Sequence, residues 1–272
     1  DQNYLPSYRN LDRVGKNHPL WMNKKLSDMG GGTSASQNTT RLQDYQPGVE
    51  LNGIIASRFN YGVGIVNGRS DKVSDNNTHK DFYYKLRYKF GGRAYDGTLL
   101  GEVEPPVEAK PSGSWVDNSI QLEHFGYLGE APTTSAGGYP QEKWNRFGTA
   151  LRGTYGNLDV AVGYVLGEND DPWGTSSTQS ADYTAPFIRA DYMFFPWFMG
   201  QVRWEQLDID RPSDLSAVGT VNQTRIIPAA IFLIRANMRL VLEGEIYTDN
   251  ESADLAGQNE PNTFWTRLDF AF

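Results

Sequence analysis

Cysteine is absent from the 272 residues of the chain, and histidine occurs only 3 times. Without cysteine there are no disulfides, no thiolate metal ligands, no cysteine nucleophile and no covalently attached haem. His18, His79 and His124 lie in separate segments, and no Gly-x-Ser-x-Gly motif occurs. The sequence therefore predicts no enzymatic activity, no metal site and no cofactor.

Long apolar runs and an excess of basic residues are also lacking. No stretch of about 18 apolar residues occurs, which argues against a transmembrane helix. The longest apolar stretch, near Ile226 to Ile234, is broken by Pro228. The formal net charge of -8 argues against a nucleic-acid partner, which would favour a basic surface.

Aromatic residues, by contrast, are plentiful for so polar a chain. They make up 13% of the residues, whereas the mean hydropathy is -0.56. A transmembrane β-barrel has this composition, because only every second residue of a strand faces lipid and aromatic side chains collect at both interfaces. A soluble β-sandwich fits the composition equally well, so the choice between them depends on the pattern along the chain.

From Gly48 onward the residues alternate between apolar and polar, which predicts β-strands. The C-terminal segment shows this most clearly, because Phe264, Leu268, Phe270 and Phe272 share the face opposite Asp269. The alternation predicts about eleven strands, at residues 49–57, 60–68, 80–92, 115–129, 144–154, 157–167, 182–194, 197–209, 223–235, 237–249 and 263–272.

The links between these strands alternate in length. Outer-membrane barrels place tight turns on the periplasmic side and long loops outside, whereas sandwiches with Greek-key connections do not alternate in this way. The prediction is therefore an all-β, antiparallel up-and-down transmembrane β-barrel. The segment from Gly91 to Gly113 is a long link where a short turn is due, and it predicts an irregular periplasmic excursion. Short links are predicted at Ser57–Asn60, Tyr155–Asn157, Phe195–Pro196 and Arg235–Asn237.

Two parts of the chain differ in pattern. Residues 1–48 show no strand period and predict an irregular external loop, whereas residues 49–272 predict the barrel wall. An odd strand count conflicts with the even number usual in single-chain bacterial barrels, and the first strand runs from the long-loop side to the short-turn side. We therefore expect the chain to be the C-terminal part of a barrel of about 12 or more strands.

Two segments resemble known outer-membrane proteins. Residues 263–272, Thr-Phe-Trp-Thr-Arg-Leu-Asp-Phe-Ala-Phe, resemble the C-terminal signal of bacterial outer-membrane barrels. The resemblance implies that Phe264, Leu268, Phe270 and Phe272 form a signal read by the barrel-assembly machinery. Residues 46–53 and 59–68 resemble porin-like barrels of environmental bacteria. Some of those barrels form the sheath of a porin–cytochrome electron conduit, which implies a multihaem cytochrome as a partner.

If the apolar faces meet lipid, the charged faces line the lumen, and side chains alone set its character. Both signs of charge are nearly balanced on these faces, which predicts modest ion selectivity with a basic stripe at Lys85, Arg87 and Lys89. Each charge could instead serve as salt-bridged packing of the wall. The candidate lumen-lining residues are Lys85, Arg87, Lys89, Arg146, Arg152, Arg189, Asp191, Arg203, Glu205, Arg239, Glu243, Glu245, Arg267 and Asp269.

The leading hypothesis is an outer-membrane porin-type channel for passive diffusion of ions and small polar solutes. The alternative is the barrel sheath of a porin–cytochrome conduit, and a third possibility is a scaffold or receptor acting through its long loops. The expected location is the bacterial outer membrane, with the C-terminus in the periplasm. The expected partners are membrane lipid and lipopolysaccharide, the barrel-assembly machinery, and a multihaem cytochrome or further copies of the chain.

Overall fold

The computed structural model describes residues 47–67, 79–98, 117–132, 141–170, 180–210, 221–235, 237–252 and 261–270. Within these ranges the chain forms eleven β-strands and no helix, which confirms the predicted all-β class. The strands are β1 Gly48–Ile55, β2 Phe59–Val66, β3 Asp81–Gly91, β4 Ser119–Pro132, β5 Gln141–Tyr155, β6 Leu158–Asp170, β7 Ser180–Phe195, β8 Phe198–Asp210, β9 Val221–Arg235, β10 Met238–Ser252 and β11 Thr263–Phe270.

The strands form one sheet in which each strand pairs with the next one along the chain, in the order β1 to β11. Every pairing is antiparallel, so the topology is up-and-down, as predicted. Among the described residues, no backbone pairing joins β1 to β11. The sheet is therefore open at these two strands.

One face of the sheet, here called the apolar face, exposes large hydrophobic side chains. Successive side chains of a strand point to opposite faces, so the register places the apolar residues of neighbouring strands side by side. Val162 pairs with Ile188 across β6 and β7, and they are 47% and 45% exposed. The residues on this face that are at least 40% exposed include Val49, Leu51, Ile65, Phe82, Tyr88, Phe90, Ile120, Leu122, Leu128, Leu151, Leu158, Val162, Tyr164, Leu166, Ile188, Tyr192, Val202, Leu242, Phe264 and Leu268.

The opposite face, here called the charged face, is the buried one. Arg146, Arg203 and Glu205 are only 1%, 3% and 2% exposed. This face also carries a cluster of apolar side chains toward the long links, which the sequence did not predict. The cluster comprises Tyr83, Phe125, Tyr127, Ala150, Ala161, Val165, Tyr183, Ala185, Phe187, Leu207 and Ile209.

The turns at one edge of the sheet are short, and that edge is here called the short-turn edge. Two residues join β5 to β6 and β7 to β8, and three join β1 to β2, close to the predicted positions. At the other edge the strands extend past the predicted ends. The predicted strand ends at Gly129 and Gly167 are wrong, because pairing continues through both residues.

The link after β3 is irregular, as predicted. Gly91, Gly92 and Gly97 have φ angles of 67°, 54° and 91°, a left-handed region in which glycine meets no steric cost. β3 and β4 pair up to Gly91 and Ser119, and residues 92–98 of the link between them contain no helix or strand. Residues 99–116 lie outside the described part of the chain.

Several predictions fall on residues that are not described. They are the external loop at 1–46, most of the long links, the side chain of Phe270, and Phe272. The described ranges include no helix that is long and apolar enough to cross a membrane.

Candidate pore-lining face

All fourteen predicted lumen-lining residues lie on the charged face. The register explains why, since it pairs residues of that face across every neighbouring strand. It also places like charges directly opposite each other, Asp159 against Asp191 and Arg189 against Arg203. Like charges at such positions destabilise a sheet unless neighbouring residues compensate them. Compensation comes from diagonal ion pairs.

The first ion-pair network runs across β5, β6, β7 and β8. The Arg152 guanidinium donates to both carboxylate oxygens of Asp159, with Nε 2.9 and 3.0 Å away. Arg189 lies 3.8 Å from Asp159 and 3.1 Å from Asp191. Gln201 donates to Asp191 at 2.6 Å. Each of the opposed aspartates therefore has an arginine beside it.

A second network joins β8, β9 and β10. Arg225 forms ion pairs with both Glu205 and Glu245, and Arg203 lies 3.6 Å from Glu205. Arg225 and Glu205 are 5% and 2% exposed, so these charges are held away from water. Tyr247 donates its hydroxyl to Glu245 at 3.0 Å. Arg225, which connects the two glutamates, was not among the predicted residues.

Three further sets of charges pair at the two ends of the sheet. Lys85 lies 3.0 Å from Glu50, which also accepts a 2.7 Å hydrogen bond from Tyr83. Lys89 pairs with Asp117. Arg239 and Arg267 both contact Asp269, at 2.6 and 3.0 Å. The predicted basic stripe on β3 is thus largely neutralised by Glu50 and Asp117, neither of which was among the predicted residues.

Arg146 is held by neutral groups and aromatic rings. It donates to the carbonyl oxygens of Asn145 and Glu168 at 2.6 and 3.0 Å. Its guanidinium carbon lies 5.1 Å from the Trp144 ring centroid and 4.7 Å from that of Tyr183. Such cation–π contacts are favourable, most of all where water is excluded.

Arg87 and Glu243 complete the predicted set. The Arg87 guanidinium donates to the Asn60 side-chain oxygen at 3.2 and 2.8 Å. In the described part of the chain it forms no ion pair, although Glu123 lies opposite it in the register. Glu243 is 6% exposed and lies opposite Ala229 and Trp265. Arg87 is therefore the most weakly neutralised cation of the predicted stripe.

A cavity of about 340 Å³, here called the polar cavity for its charged side chains, opens on the charged face near the short-turn edge and is also lined by Leu158, Met193 and Met199. Side chains of both charges line it, and ion pairs already join several of them. This volume lies within the range of small-molecule sites, about 300–1,000 Å³. Its charged and polar lining residues include Lys89, Asp117, Gln121, Arg152, Asp159 and Asp191.

The apolar face also carries polar groups. His124 lies between Tyr84, whose hydroxyl is 3.0 Å from Nε2, and Thr149, whose hydroxyl is 2.9 Å from Nδ1. These partners satisfy the imidazole, which limits the cost of placing it on this face. Toward the long links the face also carries Asn145, which donates to Glu168 at 3.0 Å, and Asp182, which lies opposite Glu168 in the register. Of the predicted assembly signal, Phe264 and Leu268 lie on this face and are 77% and 47% exposed.

Across the described residues, no three carboxylate or imidazole side chains come together as a metal ion would require. The charged face instead offers paired charges, hydrogen-bonding groups and a polar cavity. Such a surface can be wetted and can contact small ions and polar solutes without holding one tightly. The chain matches no protein-family model, and no curated protein matches its sequence.

Proposed function

We propose that the sheet is the wall of an outer-membrane β-barrel whose charged face lines a passive channel for ions and small polar solutes. One observation carries this proposal: the two faces of the sheet are reversed relative to those of a water-soluble protein. The apolar face is exposed, and the charged face is buried.

Exposure of so extended an apolar face to water is energetically costly. Soluble monomers seldom expose contiguous apolar patches larger than about 300–600 Å². Exposed apolar area costs about 25 cal/mol per Å² in water. The exposed residues of this face extend over every described strand pair from β1 to β11, without a second layer of described strands against them. A lipid environment removes this cost.

Closure of the wall by antiparallel pairing alone would need an even number of strands. Alternate strands of an antiparallel meander run in the same direction, so β1 and β11 point the same way. In a closed antiparallel barrel an additional strand, or another odd number of strands, joins them. The predicted periplasmic C-terminus and recognition by the barrel-assembly machinery belong to the same proposal.

The ion pairs of the charged face support weak charge selection. Pore charges select ions by sign when they are present in excess. Here Arg152, Arg189 and Arg225 each have at least one carboxylate partner, which balances the lining. We expect the channel to discriminate by size more than by charge.

The test is the insertion of the purified, folded full chain into a planar lipid bilayer. We expect stepwise conductance increases and a small reversal potential across a salt gradient. Folding is checked beforehand by far-ultraviolet circular dichroism and by heat-dependent gel mobility. Folded protein that inserts into the bilayer but carries no current would contradict the proposal.

The sheath of a porin–cytochrome conduit stays a prediction based on resemblance. It predicts that a haem protein co-purifies with the chain and that electrons cross liposomes only when both are present. The conductance measurement separates the two roles, since a filled sheath passes little ionic current. Purification from the native membrane, followed by haem absorbance, provides the second readout.

A further inference from the structure

The irregular segment Gly92–Thr98, here called the turn segment, lies against the charged face at the short-turn edge. Ala94 and Thr98 are only 6% and 9% exposed. The Tyr95 ring centroid lies 5.5 Å from the Arg87 guanidinium carbon and 5.9 Å from Lys89 Nζ. Both cations belong to the charged face of β3, so the segment folds over that face instead of extending away from the sheet.

Backbone and side-chain hydrogen bonds anchor the turn segment to its neighbours. The Tyr95 N–H donates to the Ser57 carbonyl at 2.9 Å. The Arg58 guanidinium donates to the Gly91 and Gly92 carbonyls at 2.7 and 3.1 Å. The Arg93 N–H donates to the Asp117 carboxylate at 2.7 Å. These bonds hold the turn segment against the β1–β2 turn and against Asp117, which precedes β4.

The β1–β2 turn is strained in a way that fits this anchoring. Ala56 and Ser57 have φ angles of 48° and 59°, the left-handed region that residues with a side chain rarely adopt. Strain of this kind persists where surrounding contacts require it. Hydrogen bonds from the Ser57 hydroxyl and from Thr98 lower the pKa of Asp96 to about 2. Ser57 thus holds the turn segment through its carbonyl, which accepts from the Tyr95 N–H.

The polar cavity described above lies directly beside the turn segment. Lys89 and Asp117 line the cavity and also contact the segment, the first through the Tyr95 ring and the second through the Arg93 N–H. The turn segment therefore covers part of the charged face at the short-turn edge, and the cavity opens beside it.

We propose that the turn segment is a constriction at the short-turn mouth of the channel, anchored by Tyr95, which directs small polar solutes through the adjacent cavity. This inference rests on the proposed channel function. Because the cavity presents charges of both signs, the favoured solutes are small zwitterionic or neutral polar molecules. Bulkier solutes are excluded by the segment.

The first experiment compares the wild-type full chain with Tyr95→Ala in planar bilayers and in liposome swelling with sugars of increasing size. We expect a severalfold rise in unitary conductance and a larger size limit for Tyr95→Ala, because the segment loses its contact with Arg87 and Lys89. Tyr155→Ala is the matched control. Tyr155 is 77% exposed on the apolar face at another short turn, so its removal leaves conductance unchanged.

The outcomes separate the two proposals. A wild-type chain that folds without conducting counts against the channel itself. A conducting wild type with the same conductance and size limit in a folded Tyr95→Ala variant overturns the constriction.

A second measurement does not depend on how well Tyr95→Ala folds. Ser119 lines the cavity, and the chain has no cysteine, so Ser119→Cys introduces a single thiol. We expect small thiol reagents to label it much faster than bulky ones in the otherwise wild-type chain. Equal labelling rates for small and bulky reagents would show an unrestricted mouth and overturn the inference.

Discussion

Arg225 lies between two buried glutamates, Glu205 on β8 and Glu245 on β10, and pairs with both of them, whereas Arg203 pairs with Glu205. Removing one partner from a set of buried charges leaves the others without compensation. The free energy lost in this way is far larger than the net stabilisation that the intact pair provides. The residue therefore matters to the stability of the sheet itself, independently of the proposed function.

Arg225→Met tests this role. We expect a loss of about 3–5 kcal/mol in the free energy of unfolding, because Glu245 would lose its arginine while buried and Glu205 would keep only the more distant Arg203. Urea unfolding of the folded protein in lipid or detergent measures it. Arg235→Met is the matched control, since Arg235 is exposed at the end of β9 and forms no ion pair in the described part of the chain.

Restoring charge balance provides the further check. Adding Glu245→Gln to Arg225→Met removes one negative charge for the one positive charge lost and leaves Glu205 beside Arg203, so the double variant should recover most of the loss. Equal stability of Arg225→Met and Arg235→Met would contradict the assigned role.

For single residues, alternation along a strand is enough to predict which side chains share a face, whereas the role of that face as a pore lining stays a prediction. All fourteen predicted residues lie on the charged face, because period-2 alternation determines which face a residue occupies. Arg225 was missed because its strand runs into the apolar stretch from Ile226 to Ile234, where alternation gives no contrast between the faces. The partners Glu50 and Asp117 could not be found either, since pairing depends on register between strands and not on the order of residues in one strand.

Among the elements, the β6–β7 pair shows how glycine shapes the charged face. A Cβ atom on Gly167 would lie 2.2 Å from two ring atoms of Tyr183. The Tyr183 ring lies flat over this position and continues to the Arg146 guanidinium, 4.7 Å from the ring centroid. Only glycine fits at position 167, because the Tyr183 ring occupies the space that a side chain would need. Glycine inside a strand often marks such a close contact.

Gly167→Ala should therefore displace the Tyr183 ring from Arg146. We expect a loss of about 1–3 kcal/mol in unfolding free energy, the usual cost of overpacking. Gly153→Ala is the matched control, because nothing lies within 4 Å of a Cβ atom at Gly153. Urea unfolding compares the two variants, and a loss that is no larger at Gly167 than at Gly153 would refute the packing argument.

The same feature explains the errors in predicted strand ends. Glycine is read from sequence as a break between elements, so strands were predicted to end at Gly129 and Gly167. In the structure the Trp144 ring covers Gly129 and the Tyr183 ring covers Gly167, and pairing continues through both. Whether a glycine ends a strand or lies beneath an aromatic ring depends on the side chains of the neighbouring strand.

For the whole molecule, the reversed faces make a prediction about membrane contact that does not require a channel. Trp197 is 53% exposed at the β7–β8 turn and stacks on Phe195 with ring centroids 5.3 Å apart. Trp144 instead lies on the charged face, stacked on Tyr127 at 4.8 Å. Only the first of these tryptophans should meet lipid.

Lipids brominated near the headgroup end of their acyl chains quench tryptophans that touch them. We expect Trp197→Phe to lower the quenched fraction of the fluorescence, because it removes an emitter in contact with lipid. Trp144→Phe, the paired control, should raise that fraction by removing an emitter shielded from lipid. Indistinguishable quenching in the two variants would argue against lipid contact by the apolar face.

The alternation of the sequence was enough to predict eleven antiparallel strands and their order. It did not predict the apolar cluster on the charged face, because both faces of β7 are apolar toward the long links. Tyr183 and Phe187 lie on one face there and Ile188 on the other. Where both faces of a strand are apolar, the sequence pattern does not show which face is buried. Only packing between strands decides it.

The strained turn between β1 and β2 also bears on the order in which the sheet forms. A hairpin with a glycine turn, such as the one at Gly156, closes without help from distant residues. The turn at Ala56 and Ser57 depends instead on Tyr95, which is far along the chain. Contacts between distant residues form late, because the intervening chain must first be ordered. We therefore expect the first hairpin to be completed only after β3 and the segment behind it are in place.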